Sequence, residues 1–580
     1  MPTVRLSQTR SIAPCAAPSP ARCGQGRDGL GVCRTRVCQI RAPEVVRLRR
    51  LPIGVLACIL LASWAAAPGG LAAGYGPQQT VVIALDITDA VTLDPNLAYE
   101  LSATMADHQM YSNLVTFARG NLTQPRPEVA QSWDVSKDGR IYTFHLKRGI
   151  VFSSGNSLTA DDVVYTFQRV VSLPKDPAAW LITQMGIDDK NVSSAVTAPD
   201  PSTVVVALPK PFSPGAFLSI MANPVAGIVD SATVKAHVVN NDWGNGWLTD
   251  HSAGSGPFQL ARWERQVAIE LVENPRYNLG PAPQVKRIIF PNILENTVQR
   301  EMLGRGDADV AWNLSAAQLA AVRSDPRLYV VQTPDLAMEY LGMDVKNVPA
   351  FAKAEVRRAV KYAIDYDGII NDLLNGNGTP LQGVIPKGLF GYEPTLWFKH
   401  DPAKAKSLLA EAGVGAGFTA ELLTSTGPAA GGISSGDLAA KVKNDLGAVG
   451  ITINVRQVAT SELLKTYRGQ QSQMVMLSWF VDYPDPDDFA KPFGDYTQKS
   501  LAWRLQYYND PLVKLVGQAA EMQNTPERGA IYTKVNETMA QDGPFAILYQ
   551  PVLSLAVSKR LQNFLFDPVN FIDFLSLTKH

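Results

Sequence analysis

Cysteine is confined to one end of this 580-residue chain. All five cysteines occur within the first 58 residues, at Cys15, Cys23, Cys33, Cys38 and Cys58. The rest of the chain therefore offers no disulfide, no thiolate metal site and no cysteine nucleophile. The length exceeds what one hydrophobic core accommodates and predicts two or three domains.

Histidine and several catalytic motifs are also scarce or missing. The chain has no His-Glu-x-x-His motif and no phosphate-binding P-loop, which argues against the enzymes that depend on them. The six histidines show no metal-ligand spacing; they are His108, His145, His237, His251, His400 and His580. We expect no metal, no cofactor and no enzymatic activity. Glycoside hydrolysis is the alternative, because it uses two carboxyl groups and acids cluster within residues 482–488.

Positive charge is depleted outside the N-terminal segment. Residues 1–73 contain ten arginines, no lysine and only two acids, Asp28 and Glu44. The whole chain has 53 basic and 53 acidic residues, so residues 74–580 retain 43 basic and 51 acidic residues, a net charge of about −8. A nucleic-acid partner requires a basic face, and this balance argues against one.

Long apolar runs are missing except for one near the N-terminus. Arginines precede an apolar run that begins at Leu51, and its last part is rich in small residues. Its length of about 15 residues is below the roughly 20 of a membrane span. The pattern predicts an export signal at residues 45–73, cleaved near Ala67 or Ala73, with a membrane anchor as the alternative. We expect a periplasmic protein. Lipid anchoring at Cys58 is disfavoured because the apolar run continues beyond it.

Residues 1–44 form an extension rich in Arg, Pro and Gly, to which we assign no domain. Export signals do not usually begin so far from the N-terminus, and no Met occurs between Met1 and Met105. We interpret the extension as a mispredicted start of the chain. A genuine extension is the alternative.

Residues 127–169 have the most informative local pattern. A Lys137-Asp138-Gly139 turn follows a short strand, and the alternating residues 141–146 read as the return strand. Thr159 and Asp162 have the spacing of a helix capping box and predict that a helix begins there. This hairpin and helix have a structural role and are not themselves a binding site.

This block closely resembles the signature of the extracytoplasmic solute-binding proteins of family 5, the receptors for peptides, nickel and related solutes that serve ABC transporters. Other segments resemble the family in the same order and spacing, so that the resemblance covers about residues 79–570. These segments include Thr92–Pro95, Gly254–Phe258, Gly306–Val310 and Val356–Asp365.

The resemblance implies an α/β fold with two lobes like those of periplasmic binding proteins, a hinge of crossing strands, and an additional inserted domain. Lobes of this kind close on a ligand. The implied segments are lobe I at residues 74–105, 252–334 and 542–580, the inserted domain at residues 106–251, and lobe II at residues 335–541.

Asp482 is the main candidate for contact with a ligand. A short apolar strand at residues 474–479 ends just before it, and ligands of open α/β sheets gather at such strand ends. In peptide-binding members of the family, the Asp three residues after a strand-ending Trp pairs with the α-ammonium group of the peptide. The resemblance gives Asp482 this role. The neighbouring Asp485, Asp487 and Asp488 are expected to be solvated acids of a surface turn.

Four further residues are candidates for the ligand site. Trp479 and Phe480 are placed to line the cleft, and a core role for one of them is the alternative. Tyr111 matches a position near the ligand in the family and lies in a helix predicted at residues 102–114. Thr92 lies in a loop on the side of the cleft. No Arg or His stands out as the partner of a peptide carboxylate.

Together these features predict an extracytoplasmic receptor that binds short peptides between its lobes and delivers them to an ABC permease, as a monomer. The same family leaves oligosaccharides, opines and metal chelates (nickel complexes or haem) as alternative ligands. Asp482 favours peptides, because a carboxylate in a closing cleft is stabilised by an ammonium partner.

Overall fold

A computed structural model of the protein describes residues 75–118, 120–173, 177–312, 314–567, 569 and 571–580. The predicted extension at residues 1–44 and the predicted export signal at residues 45–73 lie outside these ranges. All elements below belong to one compact unit at residues 71–580. In the part of the chain that is described, no helix has both the length and the apolar character to cross a bilayer.

Helices occur along the whole described chain. In order they are α1 (Leu101–Met110), α2 (Ala160–Ser172), α3 (Pro177–Thr183), α4 (Val192–Ala195), α5 (Pro214–Met221), α6 (Ser231–Ala236), α7 (Asn245–Leu248), α8 (Asn296–Arg305), α9 (Ala316–Arg323), α10 (Ala354–Ala363), α11 (Tyr366–Gly368), α12 (Pro402–Glu411), α13 (Ser435–Gly447), α14 (Thr460–Arg468), α15 (Asp487–Gly494), α16 (Leu501–Arg504), α17 (Asp510–Ala520) and α18 (Pro526–Gln541).

Strands alternate with these helices. In order they are β1 (Thr80–Ala84), β2 (Val115–Ala118), β3 (Asn121–Pro127), β4 (Ala130–Val135), β5 (Ile141–Leu146), β6 (Val196–Asp200), β7 (Thr203–Ala207), β8 (Phe258–Glu264), β9 (Ala268–Glu273), β10 (Arg287–Pro291), β11 (Val310–Ala311), β12 (Leu328–Pro334), β13 (Ala337–Met343), β14 (Gly378–Thr379), β15 (Phe418–Ser425), β16 (Ile451–Val458), β17 (Met474–Phe480), β18 (Phe545–Ser558), β19 (Leu561–Gln562) and β20 (Thr578–Lys579).

Lobe I is built on one half of a large mixed sheet. β1 pairs in parallel with β10 on one side and β11 on the other. β9 and β8 extend the sheet in antiparallel order. Val81, Ile83, Ile288 and Val310 are buried in one cluster, as expected for parallel strands that are covered on both faces.

Lobe II is built on the other half of the same sheet. β15 pairs in parallel with β16 and β17, and β17 pairs antiparallel with β13. Helices cover both faces: Val356 and Leu438 belong to one buried cluster, and Leu463 and Phe489 belong to another. The apolar run of β17 is therefore buried in the middle of an α/β layer.

Two crossing strands join the lobes. β12 continues into β13 through Asp335, and β18 pairs first with β13 and then with β12 along its length. Buried Gln550 of β18 connects the two crossing segments by hydrogen bonds. Its Nε2 donates to the carbonyl oxygens of Asp335 (2.8 Å) and Lys387 (2.9 Å). The predicted two-lobed α/β fold with a hinge is confirmed, because two narrow connections between two cores define a hinge.

The inserted domain has a sheet of its own, in the antiparallel order β4-β5-β7-β6. Its core brings Val163 and Phe167 of α2 together with Tyr142 and Phe144 of β5. The return strand predicted at residues 141–146 is confirmed. The capping box is confirmed as well, since Asp162 Oδ2 accepts a hydrogen bond from the amide of Thr159 (2.8 Å).

Helix α1 is shorter than predicted. It ends at Met110, whereas the sequence analysis predicted a helix to Leu114. The carbonyl oxygen of Met110 accepts its hydrogen bond from the amide of Gly256 (3.0 Å) in a distant turn. A bond to a residue far along the chain replaces the next turn of the helix, which local periodicity does not reveal.

Candidate functional site

Asp482 directly follows β17, beside the crossing strands. The preceding residue, Val481, donates its amide hydrogen to the carbonyl oxygen of Leu336 (3.0 Å), which connects β12 to β13. Because β17 is flanked by β13 and β15, its end has little freedom to move. Asp482 therefore lies beside the hinge, just after the carboxyl end of β17. Ligands of open α/β sheets bind at such strand ends.

Three parts of the chain meet at Asp482. The backbone amide of Asp482 donates to Asp488 Oδ2 (2.8 Å) in the same loop. Its carbonyl oxygen accepts from Asn223 Nδ2 (3.0 Å) of the inserted domain. Its carboxylate Oδ1 accepts from the hydroxyl of Tyr99 in lobe I. The residue that the sequence predicted as the ligand contact thus lies where all three domains approach one another.

Asp482 and Asp488 have electrostatically coupled carboxyl groups. Burial raises the pKa of Asp482 to about 6, and the hydrogen bond from Tyr99 opposes this rise. Burial, followed by the charge of Asp482, raises the pKa of Asp488 well above its usual range. Burial and the charge of Asp482 thus favour the protonated form of Asp488, whereas Asp482, with a pKa of about 6, can ionise near neutral pH and accept a cation.

The other acids of this loop are buried, which corrects the expectation that they are solvated. Asp485, Asp487 and Asp488 are all in the interior. Asp485 is held in a bidentate pair by Arg528, with 2.7 Å from Nη2 to Oδ1 and 3.1 Å from Nη1 to Oδ2. Asp487 pairs with Lys491 one helical turn later. Asp485 and Asp487 can bury their charge because a cationic side chain is paired with each of them.

The loop at residues 482–488, here called the acid loop, also contacts the inserted domain. The Tyr483 hydroxyl donates to Gln184 Oε1 (3.3 Å). The ammonium group of Lys491, which pairs with the acid loop, lies 4.7 Å from the ring centre of Phe212. The loop therefore has structural support from two sides, so that Asp482 is held in a fixed position.

Trp479 and Phe480 differ in their surroundings. The indole nitrogen of Trp479 donates to the carbonyl oxygen of Asp488 (3.2 Å), and its ring meets Phe493 edge-on at 6.4 Å. Phe480 is 57 % exposed. An exposed aromatic ring beside a half-buried carboxylate is a suitable surface for a ligand, whereas Trp479 contributes mainly to packing.

Tyr111 and Thr92 form hydrogen bonds with residues outside the acid loop. Tyr111 is only 2 % exposed, and its hydroxyl accepts a hydrogen bond from the amide of Ala253 (3.3 Å). Thr92 Oγ1 accepts from the amide of Asp94 (3.1 Å). The structure therefore brings Asp482, Trp479 and Phe480 together, whereas Tyr111 and Thr92 bind Ala253 and Asp94.

Tyr99 is the residue of this site that sequence reasoning missed. It is 41 % exposed and lies 383 positions before its partner Asp482. The only sequence signal was indirect, because Tyr99 follows the Thr92–Pro95 segment that resembles the family. A tyrosine in a loop carries no local pattern that identifies its distant partner.

A Gly-x-Ser-x-Gly pattern at Gly432–Gly436 also escaped the sequence analysis. In hydrolases this pattern places a nucleophilic serine on a sharp turn between a strand and a helix. Here Ser434 is the N-cap of α13, and its Oγ accepts a hydrogen bond from the amide of Asp437 (3.2 Å). The pattern is accounted for by helix capping.

Two arginines, Arg357 and Arg504, contact other groups of the protein. Arg357 binds the carbonyl oxygen and the carboxylate of Asp542. The guanidinium carbon of Arg504 lies 5.4 Å from the ring centre of Tyr467. Within the described residues, no group of three or more His, Cys, Asp or Glu side chains has a metal-binding arrangement.

Comparisons with known proteins point in the same direction. The sequence profile of the bacterial extracellular solute-binding proteins, family 5 (middle part), matches residues 124–500. A probable D,D-dipeptide-binding periplasmic protein of Escherichia coli is 29 % identical over 499 residues, which cover 85 % of this chain and 92 % of the relative.

Two further proteins are similar over most of their length. Di/tripeptide-binding protein 2 of Pseudomonas aeruginosa is 27 % identical over 481 residues, which cover 80 % of this chain and 88 % of that protein. The crystal structure of a dipeptide-binding protein of Pseudoalteromonas in complex with Met-Leu has a TM-score of 0.71 at 21 % identity, covering 86 % of this chain and 100 % of the other.

Proposed function

The chain belongs to the bacterial extracellular solute-binding proteins, family 5, and from this premise we propose that it captures short peptides between its lobes and delivers them to the permease of an ABC transporter. The protein binds and releases its ligand without chemical change. Closure of the lobes around the ligand supplies the signal that a permease recognises.

The observation that carries this proposal is the position of Asp482. Its carboxylate is half-buried, ionised at neutral pH, and placed between lobe II, lobe I and the inserted domain. A peptide has an α-ammonium group at one end in every sequence, so one fixed carboxylate anchors peptides with different side chains. The ion pair gains strength because closure removes water from it.

Peptides fit this carboxylate better than the alternative ligands of the family do. A neutral oligosaccharide would leave the charge of Asp482 uncompensated, at a cost in desolvation. A metal chelate or haem is the second alternative ligand. The names of the relatives described above refer to dipeptides and tripeptides, which supports a peptide as the ligand. Opines, which carry an amine, remain the nearest chemical competitors.

Several finer features complete the proposal. We propose that residues 45–73 direct export and are cleaved, and that the mature protein acts in the periplasm as a monomer. Lobe I comprises residues 74–105, 252–334 and 542–580, the inserted domain residues 106–251, and lobe II residues 335–541. Trp479, Phe480, Tyr111 and Thr92 are proposed to support or line the ligand site around Asp482.

The proposal is tested by replacing Asp482 and by removing the ammonium group from the ligand. Asp482→Asn is expected to weaken binding of Met-Leu by about 2 kcal/mol or more, roughly thirtyfold, because an ammonium group is left without its partner. Isothermal titration calorimetry at pH 7 measures this loss. N-acetyl-Met-Leu should bind the wild-type protein with a similar loss.

The two changes should not add. In the Asp482→Asn protein, acetylation of Met-Leu should cost little further affinity, because the group that it blocks no longer has a partner. Asp189→Asn, in an exposed loop of the inserted domain, is the matched control and should bind Met-Leu like the wild type. Equal affinity of the wild-type and Asp482→Asn proteins would remove Asp482 from the ligand site.

A further inference from the structure

Nearly every polar atom of Asp482 has a defined partner. The amide binds Asp488, the carbonyl oxygen binds Asn223, and carboxylate Oδ1 binds Tyr99. Within the described part of the chain, no donor lies within hydrogen-bonding distance of the second carboxylate oxygen, Oδ2. The network therefore fixes the residue and leaves one oxygen available.

We infer that Tyr99 is the positioning residue of the ammonium site: its hydroxyl holds Oδ1 of Asp482, so that Oδ2 is presented to the α-ammonium group of the ligand. This inference rests on the proposed function, because it assigns Tyr99 a role in the peptide site. Tyr99 acts through Asp482 and binds no ligand atom through its hydroxyl.

The position of Tyr99 is itself well defined. Its loop is anchored by Asn96, whose Nδ2 donates to the carbonyl oxygen of Val225 (2.8 Å). Asn96 Oδ1 in turn accepts from Arg169 Nη1 (2.9 Å), which also binds Asp94 in the buried interior. A rigid loop can hold a carboxylate in one orientation, which lowers the entropy that the ligand site loses on binding.

The contact also joins the two lobes. Tyr99 precedes α1 of lobe I, whereas Asp482 follows β17 of lobe II, so the bond forms only where the lobes approach each other. Closure thus completes the orientation of the carboxylate at the moment when water leaves the cleft. Hydrogen bonding to the ionised form of an acid favours that form, which suits an acid that has to meet a cation.

The titratable groups around Asp482 make this role measurable. Tyr99 faces the carboxylate from lobe I, Asn223 is the neutral neighbour from the inserted domain, and Asp488 faces it from the acid loop, with Asp485 and Asp487 beyond. Removal of the Tyr99 hydroxyl takes away the interaction that lowers the pKa of Asp482. The carboxylate should then become protonated at a higher pH.

The test is the pH profile of Met-Leu binding to the wild-type, Tyr99→Phe, Asp482→Asn and Tyr508→Phe proteins. Titration calorimetry is carried out between pH 5 and 7, below the range in which a peptide α-amino group titrates. Tyr508→Phe is the matched control, since Tyr508 is a lobe II tyrosine of similar exposure (45 %) whose hydroxyl accepts a hydrogen bond from Gln470.

Wild-type affinity should fall as the pH decreases through about 6, where Asp482 gains a proton. In Tyr99→Phe the same fall should occur about half a pH unit higher or more, with a loss of about fivefold in affinity at pH 7. Binding of N-acetyl-Met-Leu, which lacks the ammonium group, should not change on this substitution. Tyr508→Phe should reproduce the wild-type profile.

The remaining outcomes separate this inference from the proposed function. A Tyr99→Phe profile identical to the wild type, with Asp482→Asn still impaired, overturns the inference alone. A loss in Tyr99→Phe that is equal at all pH values and extends to N-acetyl-Met-Leu also overturns it, because Tyr99 would then shape the cleft directly. Failure of the wild-type protein to bind Met-Leu, or unimpaired binding by Asp482→Asn, contradicts the proposed function and the inference together.

Discussion

Four aspartates of the acid loop have the same side chain and different partners. Asp485 binds Arg528, Asp487 binds Lys491, and Asp488 binds the amide of Asp482. Among the four, Asp482 is the one that is partly exposed, whereas Asp487 and Asp488 each keep an oxygen without a partner in the interior. The partner of each carboxyl group, rather than its residue type, decides whether it is structural or available to a ligand.

The pair of Asp485 and Arg528 should be essential for stability. Arg528→Met leaves Asp485 as an unpaired buried charge, which is expected to lower the free energy of unfolding by about 3–5 kcal/mol. Urea denaturation followed by circular dichroism measures this difference. Arg358→Met, which removes a partly exposed arginine paired with Glu355, is the control and should change stability by less than about 1 kcal/mol. Similar losses in the two variants would contradict the assigned role of the Asp485–Arg528 pair.

At the residue scale, the sequence predicted one aspartate and misjudged its neighbours. Asp482 was identified through the spacing from Trp479 that resembles the family. The burial of Asp485 depends on Arg528, which lies 43 positions later, and on packing of the inserted domain. Tyr99 was missed for the same reason, because its partner is determined by the tertiary fold.

Among the secondary-structure elements, prediction succeeded where turn residues mark the boundaries. β5 was predicted at residues 141–146 because Gly139 and Gly149 allow the turns on either side, with φ of +67° and +79°. α2 was predicted from the Thr159–Asp162 capping box. The end of α1 was predicted four residues too late, since the turn that contains Gly256 terminates it from outside.

Two glycines with different surroundings should respond in opposite ways to substitution by alanine. Gly256 lies in this turn and is tightly packed against α1, whereas Gly517 lies in α17 and has open space around it. A Cβ at Gly256 would lie 2.5 Å from the carbonyl oxygen of Gln109, whereas one at Gly517, inside α17, would meet nothing within 4 Å. Gly256→Ala should therefore lower the melting temperature by several degrees, corresponding to about 2 kcal/mol or more. Gly517→Ala should raise stability by roughly 0.5–1 kcal/mol, because alanine favours the helix.

Differential scanning calorimetry of the two variants distinguishes the two effects. A stable Gly256→Ala protein would show that the turn and α1 are further apart than the structure places them. Loss of stability in Gly517→Ala would show that the outer face of α17 is covered by another part of the protein.

For the whole molecule, the two lobes share one sheet and are joined by β12–β13 and β18. In this sheet, β1 of lobe I pairs with β10 and β11, and β18 is shared between the two lobes. Local periodicity in the sequence does not predict such long-range strand pairing. The sequence predicted the architecture through its resemblance to a family over most of the chain. The crossing between the lobes is narrow and is bridged by hydrogen bonds of Gln550, which allows the lobes to move relative to each other. The hydrogen bond between Tyr99 and Asp482 connects the two lobes.

The central claim is that Asp482 holds the ammonium end of a short peptide between these lobes. The most direct measurement is to purify the wild-type and Asp482→Asn proteins without denaturation, release what each carries, and identify it by mass spectrometry. The account predicts short peptides with free α-amino groups on the wild-type protein and little or none on the variant. A sugar, a haem or a metal chelate as the bound solute would contradict it.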